Sequence, residues 1–562
     1  MTASITSLPP AFVLILGALL LPALRGGLRS AALVLFPLIT LWLVWSLPEG
    51  ATLRMGFLGY ELVPMKVDKL SRLFAIVFAI MAFGGALYSL NQPRTLELSA
   101  AFAYAGSAIG AVMAGDLMSL FVFWELMAVG STLVILSSGP AARPAAFRYA
   151  VVHLIGGVLL MAGIAGEIQA TGSIAFGRMD TGSPARWLIL AGFLINAGAP
   201  PLSSWLPDAY PESSWSGMVF LSAFTTKTAV YTLIRGFPGT EILIPIGLFM
   251  VFYGIVYAIL ENDMRRILAY SIVNQVGFMV TGVGIGTEMA LNGASAHAFT
   301  HIIYKALLLM SAGSVLLMTG KRKCTDLGGL FRTMPLTCLC GIVGALAISS
   351  FPLTSGFVSK SMIAQGAADE HLMYVWLALA AASAGVFLHA GIKFPWFVFF
   401  QKDSGLRPAE PPASMRAAMI LLAALCIGIG VAPGPLYALL PHRVDYVPYT
   451  ASHVVFQLQL LLFSGLAFFF LLGLLKRTLT ITLDTDWLWR RLGSRLLRGL
   501  DGLSSRAWEV LVRRTTSSAT WFARALHATH GPHGALGRPL PTGTMALWAT
   551  VMLGAYLVLS YV

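Results

Sequence analysis

Charge is scarce in this sequence. Of its 562 residues, 37 are Lys or Arg and 24 are Asp or Glu, 11% in all, where a globular chain carries about 25%. A soluble surface cannot be assembled from so few, which excludes a large soluble multidomain protein. Cysteine is equally sparse. Cys324, Cys338, Cys340 and Cys426 form no CxxC pair and have no histidine in ligand register, so no metal site, Fe–S centre or other redox cofactor is expected on this chain. The opening run, MTASITSLPPAFVLILGALLLPALRGG, lacks a basic n-region and places its arginines after the apolar stretch. It reads as a first membrane span.

Apolar residues are abundant: 57% of the chain, with a mean hydropathy of +0.79. Uncharged runs long enough to cross a bilayer core recur from end to end. They predict an all-α polytopic membrane protein with about sixteen transmembrane helices, centred near residues 17, 38, 80, 106, 127, 158, 193, 225, 250, 276, 306, 345, 386, 424, 464 and 552. The net charge of +13 is spread over short loops without a nucleic-acid motif, so lipid headgroups and not nucleic acid are the expected counter-ions. The loops after spans one, three, five, nine, eleven and thirteen hold Arg25 and Arg29, Arg94, Arg143 and Arg148, Arg265 and Arg266, Lys321 to Lys323, and Lys402, Arg407 and Arg416. The positive-inside rule puts these loops in the cytoplasm and the N-terminus outside, as in a multi-pass protein of a bacterial inner membrane.

Two spans are interrupted. Pro200, Pro201, Pro207 and Pro211 prevent span seven from being one continuous helix, and Pro352 with Gly356 does the same to span twelve. Irregular backbone at membrane depth is tolerated where protein or a watery cavity surrounds it, and paired breaks are the sign of a repeat-built transporter. Ordinary proline kinks are the plainer alternative. The segments are then 1–97 (N-terminal spans), 98–237 and 240–400 (two repeats, each a half-channel), 401–475 (C-terminal core spans), 476–541 and 542–562.

Four isolated charges lie within spans. Glu125 is the one charged residue between Asp116 and Arg143, Lys227 between Glu212 and Arg235, Lys305 between Glu288 and Lys321, and Lys360 between Arg332 and Asp369. Each costs about 2.5–3.5 kcal/mol at a span centre, so each is expected to face the interior with a partner. His297, His301 and Lys305 stand at i, i+4 and i+8. Each step turns about 400°, so they share one helix stripe and climb roughly 12 Å. Histidine, and a desolvated lysine, can exchange protons at working pH, which makes this stripe a candidate proton ladder. Two histidines bonded to carbonyls in a tight helix interface are the structural alternative, and a metal site lacks a third ligand.

These residues stand in VDKLSRLF, FVFWELM, PPLSSWLPDAYPESSWSGMVFLSAFTTKTAVY, ENDMRRILAYSIVNQVGF, HAFTHIIYKALLLMSAGSV and SFPLTSGFVSK. The set resembles the antiporter-like subunit family shared by Mrp-type multisubunit Na+/H+ antiporters, respiratory complex I and membrane-bound hydrogenases, over about residues 60–475. It is most similar to the D subunits of Mrp-type antiporters. The resemblance implies two inverted five-helix repeats with broken helices and a proton path of Glu125, Lys227, His301, Lys305 and Lys360, with His297 and Lys393 as further candidates. In the family a lysine of span seven pairs with the span-five glutamate. Here Asn196 holds that lysine's position, and an amide does not exchange protons in this pH range. Either Lys227 or another group pairs Glu125, or the first half-channel is modified. Arg265, beside Asp263, reads as a loop anchor outside the relay.

From Lys476 to Arg538, eleven Lys or Arg face four Asp or Glu, interleaved with Trp487, Leu488, Leu496, Leu497, Trp508, Leu511 and Trp521. This predicts a basic amphipathic helix in the membrane interface, pinned by a terminal anchor span. The longer family members clasp neighbouring subunits with such a helix. The expected partners are therefore other membrane subunits, the bilayer, H+ and a monovalent cation such as Na+. Competing functions are a membrane-arm subunit of a redox complex and an energy-coupling subunit for a non-redox partner.

Overall fold

The apolar runs become helices because a backbone in hydrocarbon must satisfy its own amides. The computed structural model describes residues 9–473, 484–534, 536–538 and 540–561. The first helices are α1 (Pro10–Leu20) and α2 (Gly26–Ser46). An antiparallel hairpin that the apolar pattern does not signal follows, with β1 at Thr52–Phe57 and β2 at Tyr60–Lys66. Its two-residue turn, Leu58-Gly59, has positive φ at both positions, 48° and 83°, the primed geometry that matches strand twist. Then come α3 (Lys69–Tyr88), α4 (Thr95–Met113), α5 (Leu117–Leu136), α6 (Arg143–Thr171) and α7 (Pro184–Ala197).

The first break is where the prolines stand. α7 ends at Gly198, in the left-handed conformation with φ 79°, and short α8 (Trp205–Ala209) follows. A further break, without proline or glycine, separates α9 (Gly217–Leu221) from α10 (Thr225–Gly236). The chain continues through α11 (Leu243–Leu260), α12 (Met264–Ile285), α13 (Glu288–Thr319) and α14 (Pro335–Ile348). The Pro352 break precedes α15 (Phe357–Asp369). α16 (Met373–Val386) runs into π-helical turns up to Phe400, around Pro395, whose missing amide disturbs the ladder. α17 (Ala413–Val431), α18 (Gly434–Ala438) and α19 (Ala451–Phe470) complete the bundle.

All sixteen expected centres fall in apolar helices. Among the described residues 13 are long and apolar enough to cross a membrane, and Pro10–Ala23, Pro184–Ala197 and Pro335–Ile348 are shorter. The loops sort by parity. At one end of the bundle Arg29 donates to Thr95 Oγ1 (3.1 Å), Asn91 to Ser414 Oγ (2.9 Å), and Arg322 pairs with Asp263 (2.8 Å), all in the loops after odd-numbered spans or the first turns that follow them. At the other, Val63 N donates to Asp116 Oδ2 (2.6 Å), Leu117 N to Ile174 O (2.8 Å) and Asn292 Nδ2 to His442 O (3.1 Å), all after even-numbered spans. The first end carries the basic loops. The Gly217–Gly236 and Met264–Ile285 spans are buried throughout, whereas α19 is mostly exposed, so the breaks of span eight and the helix facing α13 lie at the centre.

The chain divides into two units, up to Asp486 and from Trp487 on. Asp484 belongs to the first, where Tyr253 and Tyr270 donate to its carboxylate at 2.7 and 2.6 Å. The second unit contains α20 (Ser494–His530), 37 residues, and α21 (Thr542–Tyr561). Leu496, Leu500, Leu503, Leu511 and Phe522 leave exposed apolar surface along α20, between arginines. Lys476 and Arg477, and the side chains of Leu488 and Leu497, lie outside the described residues.

Candidate functional site

The titratable stripe of α13 lies in the middle of the bundle, and His297, His301 and Lys305 are all fully buried. Lys305 Nζ donates to Ser271 Oγ of α12 at 2.9 Å. His297 is held at both ring nitrogens: Nε2 lies 3.1 Å from Gln275 Oε1 and 3.3 Å from Tyr304 OH, and Nδ1 lies 3.1 Å from Ser359 Oγ. Ser359 also meets Thr300 Oγ1 at 2.8 Å, and its neighbour in sequence is Lys360. A hydroxyl thus bridges α13 to the second break. His301 is different. Its ring sits 5.2 Å from Tyr304 and 6.1 Å from His297, and neither nitrogen has a hydrogen-bond partner among the described residues. Lys227, Lys305 and Lys360 all lie within electrostatic range of it.

Two of the buried lysines of the site are seated on helix-end carbonyls. Lys227 Nζ donates to Ser222 O (2.6 Å) at the α9–α10 break, and Lys360 Nζ to Ile348 O (2.9 Å) in the last turn of α14. Helix C-terminal carbonyls lack intrahelical donors and carry partial negative charge, so an ammonium there compensates both. The Thr225 amide across the first of these breaks donates to Tyr104 OH (2.9 Å), which also meets Thr225 Oγ1 (2.6 Å). Lys393 follows the same rule away from the stripe. Its ammonium donates to Ala258 O (3.0 Å) and Glu261 O (2.6 Å) at the end of α11.

The first half departs from expectation. Glu125 and Lys227 do not pair, because α5 packs on α4 and α6 whereas α10 packs on α4, α7, α12 and α13. Lys227 is fully buried, but Glu125 is half-buried, beside the exposed Val122, Leu126 and Val129. Its Oε1 is buried against Gly157 of α6, without a hydrogen-bond partner among the described residues. Asn196 lies against the adjoining Gly156, fully buried, with both amide atoms unpartnered among the described residues. Glu125 and Asn196 therefore flank one glycine pair. Arg265 is an anchor, though not through an ion pair with Asp263. Asp263 Oδ1 caps its backbone amide (2.8 Å), while the guanidinium donates to Pro211 O, Ser213 O and Ser214 O at 2.7–2.8 Å. Burial holds the Asp263 carboxyl above its usual range, against the nearby Arg322.

Several polar residues of the site escaped sequence reading. Gln275, Ser359 and Ser271 are uncharged and signal nothing in isolation. His153, fully buried on α6, stacks on Tyr149 at 3.9 Å and meets the edge of Trp205 at the first break at 4.7 Å. Its Nδ1 lies 3.0 Å from Tyr149 O, and its Nε2 has no partner among the described residues. At the second break a cavity of about 320 Å³ adjoins Lys360, lined also by Ser361, Gln365, Ser383, His453 and Gln457. It reaches the segment 446–453, at the less basic end of the bundle.

Residues 114–387 match the family described as NADH:quinone oxidoreductase/Mrp antiporter, transmembrane. The chain is 30% identical over 355 residues to the D subunit of a Na+/H+ antiporter from Alkalihalophilus pseudofirmus, covering 58% of this chain and 71% of that protein. It is also 30% identical over 402 residues to the A/B subunit of a probable K+/H+ antiporter from Rhizobium meliloti. That alignment covers 66% of this chain and 40% of the relative, so the chain spans less than half that relative's length. Its fold is similar to a chain of the membrane-bound sulfane sulfur reductase, an archaeal respiratory membrane complex, with a TM-score of 0.72 at 22% identity, covering 98% of this chain and 99% of that one. With the broken helices and the buried lysine–histidine stripe in place, these alignments establish that the chain belongs to the NADH:quinone oxidoreductase/Mrp antiporter family of membrane subunits.

Proposed function

We propose that this chain is the proton-conducting subunit of a hetero-oligomeric, Mrp-type monovalent cation/proton antiporter. Protons move along Lys227, His301, Lys305 and Lys360, with Glu125 at the flank of the first half. One observation carries the reading: three lysines and two histidines are buried together, Ser271 holds Lys305, Gln275 and Ser359 hold His297, and Lys360 adjoins a cavity lined also by Ser361, Gln365 and Gln457. Groups this expensive to bury are kept for transfer, since an apolar core of equal volume packs better. Lys227 and Lys360 can release a proton without leaving their helix-end carbonyls unpaired, because the neutral amine still donates. Relatives are antiporter subunits, which favours this assembly. Purifying the complex and measuring cation-dependent proton movement in everted vesicles tests it: Lys360→Ala and His301→Ala should abolish transport in an assembled complex. Normal transport in either removes that residue from the path. A second reading, the membrane arm of a redox complex, is supported by the respiratory neighbour whose fold matches nearly the whole chain. Co-purifying flavin or Fe–S proteins would favour it.

A further inference from the structure

Glu97 is a buried carboxylate that the relay does not use. It sits in the first turn of α4, at the basic end of the bundle, and is 1% exposed. Three donors converge on one of its oxygens: Ser214 Oγ and Ser216 Oγ, each 2.5 Å from Oε1, and Gln92 Nε2 at 3.1 Å. The other oxygen, Oε2, is equally buried and has no hydrogen-bond partner among the described residues. Arg94 approaches it only to 4.0 Å. Beside this group lies a cleft of about 690 Å³, lined by Gln92, Arg94, Trp215, Leu317 and Glu410. Gln92, bonded to the carboxylate, and Arg94, 4.0 Å from Oε2, both line the cleft, so one layer of side chains separates the carboxylate from it.

We propose that Glu97 is a proton-loading site at the basic end of the bundle, where Oε2 takes a proton from water in the cleft and returns it there or passes it inward. Three donors on Oε1 hold the carboxyl in one orientation and leave Oε2 as the free acceptor. Oε2 receives no hydrogen-bond donor among the described residues, so its lone pairs are open to a proton. The site also has a mechanical route inward. Ser214 and Ser216 lead directly into α9, whose far end at Ser222 O holds the Lys227 ammonium. The charged groups facing Glu97 are Arg94 on its own cap, Arg29 from α2 through Thr95, Arg265 from α12 on Ser214 O, and Glu410 across the cleft.

This inference rests on the relay reading, and the test separates the two. A hydrophobic carbodiimide reacts with protonated buried carboxyls, and mass spectrometry of the labelled, detergent-solubilised complex locates the adduct. Labelling of Glu97 is expected, pH-dependent and indifferent to Na+, and Ser216→Ala should move the pH at which labelling is half-complete while the complex stays assembled. Glu97→Gln, which preserves the hydrogen-bonding shape, should lower proton uptake several-fold. Unlabelled Glu97, protection by Na+, an unmoved profile in Ser216→Ala, or unchanged uptake in Glu97→Gln each overturns the proposal. Labelling is independent of transport, so failure of Lys360→Ala to affect transport would end the relay reading without touching this result.

Discussion

Gly157→Ala should disable the first half of the path without unfolding the protein. A Cβ at residue 157 would lie 2.1 Å from Glu125 Oε1, and ordinary contact begins near 3.4 Å, so the carboxylate must retreat by about 1.3 Å. The obstacle is the far end of a flexible side chain, and its rotation costs about 0.5–1.5 kcal/mol. That is small against the stability of a domain but large for a proton donor, where 1.4 kcal/mol is about tenfold in rate. Proton-coupled transport in everted vesicles should therefore fall about two- to tenfold while the complex assembles as before. Gly156→Ala serves as the control. Its Cβ meets Ile195 at 3.3 Å and Asn196 Oδ1 at 3.6 Å and leaves Glu125 alone, so transport should stay near normal. Combining Gly157→Ala with Glu125→Asp gives the carboxylate back its room and should recover part of the loss relative to Glu125→Asp alone. Full activity in Gly157→Ala would refute the placement of Glu125 in the path.

Ser359→Ala removes the hydroxyl joining His297 to Thr300. About 1 kcal/mol of stability and a several-fold drop in transport are expected, read by thermal unfolding and vesicle assays. Lys393→Met should cost about 1–3 kcal/mol because buried carbonyls at the end of α11 lose their donor. Transport per assembled complex should be unchanged, and a loss would bring Lys393 into the path. Asp68 caps α3 and receives Arg235 at 2.7 Å. Burial raises its carboxyl, but Arg235 and Ser71 outweigh that and hold it below the usual range. Its contribution is therefore present above the ordinary carboxylate range and lost as pH falls through the folded value. Asp68→Asn should lower stability by about 1–2 kcal/mol at neutral pH, since a third of the side chain reaches water, and by little in acid.

What the sequence showed was what one helix can show alone. Apolar length revealed the spans, proline placed the breaks at 198–204 and 349–356, and the four-residue period put His297, His301 and Lys305 on one stripe. The missed features depend on neighbours. The break before Thr225 has no proline because Lys227 and Tyr104 satisfy its backbone from the side. Glu97 looks like an ordinary helix-start carboxylate until Ser214 and Ser216, more than a hundred residues away, close over it. Whether Glu125 meets Lys227 depends on helix rotation and packing order, and no one-dimensional pattern carries either.

Asn196 makes that dependence on neighbours measurable. Its amide is fully buried and unpartnered among the described residues, a state that costs about 1–3 kcal/mol. Nothing in its own bonding accounts for its presence, so Asn196→Ala should be nearly neutral for stability, the lost volume offset by the lost unpaired amide. Asn196→Lys is the informative change. It places an ammonium beside Gly156 while Glu125 lies against Gly157, so two opposite charges meet adjacent residues of α6, about 100° apart around the helix. If the two groups form one half-channel, Glu125→Gln should have a different effect on transport with and without Asn196→Lys, a non-additivity of at least about 1 kcal/mol. The four-protein cycle is read by transport rates across pH in everted vesicles, with assembly checked by size-exclusion chromatography. Additivity within about 0.5 kcal/mol would mean that the two side chains do not communicate across the glycine pair, and that the first half-channel runs elsewhere, through His153 and Trp205.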